Sequence, residues 1–289
     1  MKQTFLMTAL QNGAKRIPMG LGFALALTFP HLNATAQEVD LGAANSYAVL
    51  AGTTITDTGS TTINNGDIGV SPGSAITGLS SITLNGGVVD MGDAACAQTA
   101  LTAAFIQAAG FGHTALNNLT GQNLGGLTLT PGVYFFSSSA DLTGTLTLDD
   151  QHNPDAVFIF QIGTALTTAG AVVTINDPSS TPGTSVFWQV GSSATLGTGT
   201  AFQGNILAAD SITLVTGSTD LDGRLLAETG AVTLDTDTIT APPAEPQGGG
   251  GGNGGGGGGV PDTGSTLLLL GSGLAALFAF GRRFSVLLR

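Results

Sequence analysis

The sequence predicts a mainly β protein whose short strands stack as the coils of a solenoid. The clearest evidence is the stretch Ser193–Thr240, in which short segments repeat with a nearly constant spacing. Thr195-Leu196 recurs as Thr213-Leu214 and again as Thr233-Leu234, at similar but unequal intervals. A period of about 20 residues, with alternating apolar residues and glycine-containing turns, is typical of one turn of a β-helix, which holds three strands and three corners.

Two further pairs of segments support the same prediction. Ile206-Leu207-Ala208 returns one period later as Leu225-Leu226-Ala227. The apolar run Val157–Ile162 resembles the run Val186–Val190, which lies more than one period further along the chain, and a glycine follows each run directly. We therefore expect these segments to occupy matching positions in neighbouring coils, with a longer loop in one coil.

The N-terminal residues 1–36 have the features of an export signal. Lys15 and Arg16 precede the apolar run Ile17–Phe29, and Ala34-Thr35-Ala36 has the small-x-small form of a cleavage site. The sequence thus predicts a mature start at Gln37. A membrane anchor is the alternative, although a run of this length is short for spanning a bilayer.

The mature domain is predicted to span residues 37–241, with one helix between two β regions. Val39–Val89 alternates in the manner of strands, and residues 120–240 do so again. The alanine-rich segment Asp93–Leu119, interrupted near Gly110, has the spacing of a helix with Asp93 as its N-cap. Its face of Leu101, Ala104, Phe105 and Ala108 is expected to pack along the solenoid, and the single cysteine, Cys96, is expected in the core there.

The C-terminal sequence changes character after Ala241. Residues 242–259 are a proline-containing and then glycine-rich linker, and residues 260–289 begin with Val260–Thr266 (VPDTGST). The uncharged run from Gly264 to Gly281 is just long enough for a transmembrane segment, and Arg282 and Arg283 follow. This tail resembles the PEP-CTERM class of bacterial sorting signals in its VPD-x-GST variant, which implies an exosortase-type sorting protease as partner. It also resembles the LPxTG signal of sortases, and a plain anchor is the third interpretation.

The charge distribution excludes several classes of function. Between Gln37 and Gln247 the only basic residue is Arg224, against eighteen Asp and Glu. Binding of nucleic acid needs many Lys or Arg to neutralise phosphates, and adsorption to an anionic lipid surface needs them as well. We expect neither a nucleic acid partner nor a cofactor.

Catalytic and metal-binding patterns are scarce. Only His113 and His152 remain after export, far apart in sequence and without the spacing of metal ligands, and no G-x-S-x-G elbow is present. The acidic segment Asp149–Asp155 could serve a glycosidase or lyase, since these enzymes use clustered carboxylates, but it is equally typical of a hydrated turn. The sequence therefore predicts no catalytic residues and no metal site, with a polysaccharide-active enzyme as the least favoured function.

Serine and threonine, whose side chains carry hydroxyl groups, are unusually frequent. Fifteen of the fifty residues from Gly191 to Thr240 are Thr or Ser, and many threonines recur with the repeat. Threonine favours strands in any case, but stacked coils about 4.8 Å apart would align such residues in a grid of hydroxyls and methyls. Threonine is restrained at χ1, so the grid would be stiff enough to order water. Such a surface suits adsorption to a crystal, above all ice, without charge or catalysis.

Several longer stretches make the chain similar to a known family. Asn45–Thr240 resembles the ice-binding-like β-solenoid proteins of bacteria, fungi and algae, in segments such as TPGVYFFSSSADLTGTLTLDD, DAVFIFQIG and VFWQVGSSATLGTGTAFQGNILA. The resemblance implies a right-handed, discontinuous β-helix of triangular section with one long α-helix alongside. It also implies ice binding through a flat face that carries loose T-A/G-x-T/N motifs.

These motifs suggest the site residues. Four stretches match in part: Ser74–Thr77, Ala140–Thr143, Thr200–Gln203 and Thr219–Asp222. The repeat that relates Ile206 to Leu225 predicts that Thr200 and Thr219 are equivalent. It also puts Asp220 and Asp222 on the same face, where charge would disturb ordered water. The resulting candidates for ice contact are Ser74, Thr77, Thr143, Thr200, Gln203 and Thr219.

The sequence thus predicts an exported, surface-presented ice-binding protein that is monomeric and inhibits recrystallisation. A second hypothesis is an extracellular matrix or adhesion module without ice activity. The C-terminal signal favours that hypothesis through its link to exopolysaccharide, and the two aspartates on the predicted face fit it. In either case the domain is expected outside the cytoplasm and at least transiently at the membrane.

Overall fold

The computed structural model describes residues 37–91, 94–176 and 183–243. The chain divides into two units, residues 1–243 and 244–289, and the described residues belong to the first. The predicted export signal, the cap residue Asp93, the linker from residue 244 and the sorting tail therefore lie outside the described residues. Among the residues described, no helix is both long and apolar enough to cross a membrane.

The described part of the chain contains twenty-one strands and one α-helix, α1 (Ala95–Gly110). Short 3-10 turns lie at Gly42–Ser46, Leu79–Ser81 and Ala115–Asn117. The strands are β1 (Tyr47–Ala51), β2 (Thr54–Asp57), β3 (Thr62–Asn64), β4 (Asp67–Val70), β5 (Ala75–Thr77), β6 (Thr83–Asn85), β7 (Val89–Asp90), β8 (Thr128–Leu129), β9 (Gly132–Phe136), β10 (Ala140–Leu148), β11 (Val157–Ile162), β12 (Leu166–Ile175), β13 (Ser185–Val190), β14 (Ala194–Leu196), β15 (Ala201–Gln203), β16 (Asn205–Ala208), β17 (Ile212–Leu214), β18 (Thr219–Leu221), β19 (Leu225–Ala227), β20 (Val232–Leu234) and β21 (Thr238–Thr240).

A complete coil passes through three sheets, with one strand in each or, in two coils, one long strand shared by two sheets, and every pairing between described strands is parallel. The first sheet has the order β7-β4-β1-β19-β16-β13-β11-β9. The second sheet holds β5-β2-β20-β17-β14 and the first halves of β12 and β10. The third sheet holds β6-β3-β21-β18-β15, the second halves of β12 and β10, and β8. The long strands β10 and β12 join the last two sheets and bend at Gly144 and Gly170, which have positive φ. This is the predicted β-solenoid with one helix beside it.

The chain does not stack its coils in sequence order. The N-terminal coil β1–β3 lies between the last coil, β19–β21, and the coil β4–β6. Helix α1 follows β7 and leads along the first sheet toward β9, and a helix of 16 residues is about 24 Å long. It covers that sheet with four buried residues, Ala97, Leu101, Ala104 and Ala108. The second and third sheets have no helix over them in the described part of the chain.

The interior is filled by the inward-facing residues of the three sheets. A stack of four aromatic rings runs through three coils, with centroids 5.4 Å apart for Tyr134–Phe160, 3.9 Å for Phe160–Trp188 and 4.9 Å for Trp188–Phe202. The Nε1–H of Trp188 donates a hydrogen bond to the carbonyl of Gln203 at 3.0 Å. Aromatic packing of this kind stiffens the layers beneath the sheets.

Two expectations about the helix are wrong. The predicted break near Gly110 is present, but α1 ends there and does not continue to Leu119, since only the 3-10 turn Ala115–Asn117 follows. The side chain of Gln161 donates from Nε2 to the carbonyls of Ala108 and Phe111, at 2.8 Å each, at this end of the helix. Cys96 is exposed, since it lies on the side of α1 that faces away from the first sheet, where Ala97 and Leu101 are buried instead.

Candidate functional site

The second sheet carries a continuous column of threonines on its outer surface. Strand pairing aligns these side chains from one coil to the next through six consecutive layers. We call this set the threonine column; it consists of Thr167, Thr195, Thr213, Thr233, Thr56 and Thr77. Layers about 4.8 Å apart give the column a length of roughly 24 Å.

The alternation of each short strand turns the threonines outward. In β17, Ile212 and Leu214 are buried while Thr213 between them is half-exposed. Strands β14 and β20 repeat the same pattern. Successive side chains of a strand point to opposite faces of a sheet. Because the two apolar side chains point into the core, the threonine between them must point outward.

On one side, the residues that flank the threonine column are small and uncharged. Two positions earlier in each strand, a flanking column holds only small residues: Ser139, Ala165, Ser193, Ser211, Ala231, Thr54 and Ala75. Among the described residues, none of the six column side chains has a hydrogen-bond partner, so their hydroxyls are available to water. A carboxylate stands in the column only at one end, where Asp141 pairs with Thr167.

The third sheet also carries threonines, but its outer columns are interrupted. One column contains Val172, which is 39% exposed, and the other contains Leu221, which is 48% exposed. Elsewhere the side chains bond to one another: Asn85 donates to Asn64 at 2.9 Å, and Asn64 donates to the hydroxyl of Thr240 at 3.1 Å. This sheet therefore presents a mixture of apolar, amide and hydroxyl groups, and its longest unbroken run of outward threonines covers four layers, Thr219, Thr238, Thr62 and Thr83.

The structure divides the six residues predicted from sequence between these two sheets. Ser74, Thr77 and Thr143 lie at the second sheet, and Thr77 belongs to the threonine column. Thr219 and Gln203 point outward from the third sheet. Thr200 lies in the turn before β15 and is completely buried. The predicted residues therefore do not share one surface.

The predicted equivalence of Thr200 and Thr219 is wrong. Strand pairing aligns Ala201 with Thr219 and Gln203 with Leu221, so the interval here is one residue shorter than the sequence predicts. The longer interval holds for the first sheet, where Ile206 pairs with Leu225. One extra residue in the turn after Leu221 accounts for the difference, and a one-residue shift moves a side chain to the opposite face of a sheet.

The predicted position of Asp220 is wrong for the same reason. Asp220 pairs with Phe202 and Ile239, both of which face the core, and its side chain is 1% exposed. Neither carboxyl oxygen has a hydrogen-bond partner among the described residues. Burial raises the pKa of Asp220 well above its usual range, the nearby Asp222 raises it further, and Arg224 partly opposes both. Asp222 lies in the following turn and is exposed.

Thr200 belongs to a buried polar corner between the second and third sheets. Its hydroxyl lies 2.8 Å from that of Thr168 in the preceding coil. Two coils further along, buried Asp237 accepts a hydrogen bond from the backbone N–H of Ser218 at 2.9 Å. Burial is the main cause that raises the pKa of Asp237 from 3.8 to about 6. These groups fasten the turns to one another, so Thr200 has a structural role at the corner.

The residues considered for catalysis are not assembled into a site. In the loop Asp149–Asp155, buried Asp150 accepts the backbone N–H of His152 at 3.0 Å, as in a tight turn. His113 stacks on Phe135 with ring centroids 4.3 Å apart. Among the described residues, no group of three or more His, Cys, Asp or Glu side chains is placed to hold a metal ion.

The five other members of the threonine column were missed as site residues. They are Thr56, Thr167, Thr195, Thr213 and Thr233. A signal for three of them was available, because Thr195, Thr213 and Thr233 are the threonines of the repeated Thr-Leu pair. The leucine that follows each one is buried, which marks the threonine as outward-facing.

Comparisons with known proteins agree with this architecture. The sequence profile of the family described as Ice-binding-like matches residues 49–240. A second profile, the VPDSG-CTERM motif, matches residues 259–284, where this chain has Thr263 in place of the serine.

Individual relatives cover most of the chain. An ice-binding protein of Nostoc sp. (strain HG1) is 48% identical over 249 residues, which are 84% of this chain and 87% of the relative. An ice-binding protein of Flavobacterium frigoris (strain PS1) is 34% identical over 221 residues, 72% of this chain and 78% of the relative.

Solved structures show the same fold. The crystal structure of an ice binding protein from an Antarctic biological consortium matches with a TM-score of 0.66 and 38% identity, covering 74% of this chain and 96% of that one. An ice-binding protein from the Antarctic ascomycete Antarctomyces psychrotrophicus matches with a TM-score of 0.64 and 36% identity, covering 71% of this chain and 99% of that one.

Proposed function

Because this chain belongs to the ice-binding-like family, we propose that it adsorbs to ice and that the threonine column of the second sheet makes the contact. The observation that carries the proposal is the unbroken register of six outward threonines over six layers. The proposal revises the set of contact residues. Ser74, Thr77 and Thr143 remain at or near the proposed contact, whereas Thr200, Gln203 and Thr219 are no longer included in it.

The chemistry of the column suits an ordered layer of water. Each threonine offers a hydroxyl that can donate and accept hydrogen bonds, together with a methyl group that does neither. The side chains are held stiffly by their branched Cβ atoms and by the strands that carry them. Because the layers repeat at a constant spacing, waters on the hydroxyls repeat as well. Adsorption needs no bond cleavage, and we propose no enzymatic activity and no cofactor.

Adsorbed protein would inhibit the recrystallisation of ice outside the cell. The match to a C-terminal sorting motif supports export and a sorting protease of the exosortase type as a partner. We propose that the mature domain, residues 37–241, is monomeric and acts at the cell surface or in the surrounding matrix.

A matrix or adhesion module without ice activity is the second candidate, and the observation that favours it is the sorting motif. One argument for it does not hold, because Asp220 points into the core and does not mark an outer face as acidic. Exopolysaccharide would be the partner in this case. Binding of the purified chain to exopolysaccharide, without any effect on ice, would favour this candidate.

A matched pair of substitutions in one coil tests the ice contact. Thr213 on the second sheet and Thr219 on the third lie in the same coil, each pointing outward. We expect Thr213→Tyr to remove most of the thermal hysteresis and recrystallisation inhibition, because the ring stands above its neighbours and lifts the column off the ice. Thr219→Tyr should leave both nearly unchanged.

Circular dichroism and thermal melting should be the same for the two variants, since both side chains are outside the core. If Thr219→Tyr removes the activity and Thr213→Tyr does not, the contact lies on the third sheet and the proposal is wrong.

A further inference from the structure

Two asparagines that are each followed by glycine lie in neighbouring layers, at the corner between the third and first sheets. They belong to the pairs Asn65-Gly66 and Asn85-Gly86, the only Asn-Gly sequences among the described residues. Asn65 follows β3 and Asn85 ends β6, and the N–H of Asn65 donates to the carbonyl of Asn85 at 2.9 Å. The two pairs have the same sequence, so only their surroundings distinguish them.

An asparagine followed by glycine can be modified without an enzyme. The backbone nitrogen of the glycine gives up its proton and forms a bond to Cγ of the asparagine, the Cγ–Nδ2 bond breaks, and ammonia leaves. Water then opens the resulting cyclic imide at either carbonyl, which leaves an aspartate or an isoaspartate. Glycine favours this reaction because it has no Cβ to hinder the attack and because its backbone rotates freely.

Gly66 is enclosed on two sides. It is buried, and a Cβ at this position would lie 2.7 Å from the backbone nitrogen of Ala48 and 2.8 Å from the Cβ of Ala48. On its other side, the carbonyl oxygen of Gly66 is 1.9 Å from the position that a Cβ on Gly87 would take. The nitrogen of Gly66 therefore cannot move toward Cγ of Asn65 unless these layers separate.

Gly86 lies at the open end of the solenoid. β6 is the last strand on its side of the third sheet, and no described strand pairs with its outer edge. Asn85 and Gly86 are both exposed, and the nearest atom to the position of a Cβ on Gly86, apart from its chain neighbours, is 3.9 Å away.

Two hydrogen bonds of Asn85 have to break before it reacts. Its carbonyl accepts the N–H of Asn65, and its Nδ2 donates to Oδ1 of Asn64, at 2.9 Å each. A single hydrogen bond makes only a modest net contribution to stability. Movement of the peptide between Asn85 and Gly86 therefore costs less than the separation of two packed layers around Gly66.

We propose that Asn85 is a site of spontaneous modification, at which the folded chain forms aspartate and isoaspartate, and that packing protects Asn65. This inference is independent of the proposed ice contact. The product alters the third sheet, because a carboxylate has no donor to replace Nδ2 of Asn85 in its hydrogen bond to Asn64. An isoaspartate also adds a methylene group to the main chain at the end of β6. The threonine column contains no asparagine and is not changed.

The test compares the two asparagines in one sample. The purified full chain is kept in warm neutral buffer, and aliquots are digested with pepsin under acidic conditions, in which the imide forms slowly. Mass spectrometry of the peptides measures the modified fraction at each asparagine and keeps Asn253, which lies outside the described residues, separate from both. We expect Asn85 to react at least about tenfold faster than Asn65, because reaction at Asn65 requires a local opening of the fold.

Unfolding and substitution provide the controls. In guanidinium chloride the two rates should become nearly equal, because the packing that distinguishes them is lost. Asn85→Gln keeps an amide but forms the corresponding ring far more slowly, so it should remove the modification at this position. Gly86→Ala should slow the reaction while it leaves Asn85 in place, because the added methyl group hinders the attacking nitrogen.

Two results would overturn the proposal. If Asn65 reacts as fast as Asn85 in the folded chain, packing around Gly66 gives no protection. If neither asparagine reacts in the folded chain while both react in guanidinium chloride, the open end of the solenoid is as well protected as the layers around Gly66.

Discussion

The second and third sheets are built by the same coils from similar residues, yet they present different surfaces. Both are rich in threonine, and both are open to solvent in the described part of the chain. On the second sheet six threonines stand in one column, whereas on the third sheet Val172, Gln203 and Leu221 interrupt the columns. Threonine content therefore does not define a repeating surface; the register of the threonines does.

The difference extends beneath the surfaces. Under the second sheet the inward residues of three successive coils are Leu196, Leu214 and Leu234, all buried. Under the third sheet the corresponding run passes through Phe202, Asp220 and Ile239. An unpartnered carboxyl in the core is costly, because burial removes it from water without a replacing hydrogen bond. In these three coils the layer beneath the second sheet is apolar and the layer beneath the third is not, although buried Thr168 and buried Asp57 lie on either side of the three leucines.

The largest effect should come from a charge placed in the threonine column. Thr56 lies in the column and Thr62 lies on the third sheet of the same coil. We expect Thr56→Lys to abolish thermal hysteresis, because an ammonium group is strongly hydrated and disrupts a lattice-like water layer. Thr62→Lys should retain most of the activity. Equal losses from the two substitutions would remove the distinction between the sheets.

A substitution at Asp220, in the core beneath the third sheet, is expected to have an intermediate effect, in this case on stability. The pKa of Asp220 is higher in the folded chain than its usual 3.8. As the pH rises above 3.8, the unfolded chain therefore loses this proton first, and the folded chain becomes less stable. Asp220→Asn does not titrate, and we expect it to raise the free energy of unfolding by about 1–4 kcal/mol at pH 7. Denaturant unfolding at several pH values measures this gain.

The same series provides the control for Asp220. The gain should vanish below pH 3.8, where the carboxyl is protonated in both the folded and the unfolded chain. Asp222→Asn, at the exposed neighbour, should change stability less at any pH. A gain from Asp220→Asn that is independent of pH would mean that ionisation is not its cause.

The smallest effect is expected at the end of the threonine column. Asp141 pairs with Thr167 and is exposed. Asp141→Thr would extend the column from six layers to seven, and we expect a modest increase in thermal hysteresis with a change in stability within about 0.5 kcal/mol. Asp141→Asn removes the charge without adding a threonine, so it separates the two contributions. A decrease with Asp141→Thr would show that the column ends functionally at Thr167.

Much of the fold could be predicted from sequence because the repeat is local. The prediction of strands within Val39–Val89 is confirmed, beginning with the strand Tyr47–Ala51, and the paired runs at Val157 and Val186 lie side by side in the first sheet. The face of α1 that packs on the sheet is also as expected, with Leu101, Ala104 and Ala108 buried. Alternation within a strand and spacing along a helix depend on near neighbours, so they can be recognised in the chain itself.

The candidate site was harder to predict because it depends on which residues of neighbouring coils are aligned, and the lengths of the turns decide that alignment. A motif search found Thr77 but also selected Thr200, which is buried at a corner. The repeated Thr-Leu pair indicated Thr195, Thr213 and Thr233. Its two intervals are unequal, however, so the spacing could not be used to predict the aligned threonines in the other coils. Turn length varies between corners, and each added residue reverses the side to which the following side chains point.

The sequence by itself determined that this chain forms a solenoid of short parallel strands with a helix beside it, since the apolar periodicity and the glycine turns specify each coil. Only the tertiary structure decided which threonines stand together and that Asp220 faces the core. The physical reason is that these features arise between coils: N-terminal strands such as β1 pair with C-terminal strands such as β19, and no interval along the chain records that contact.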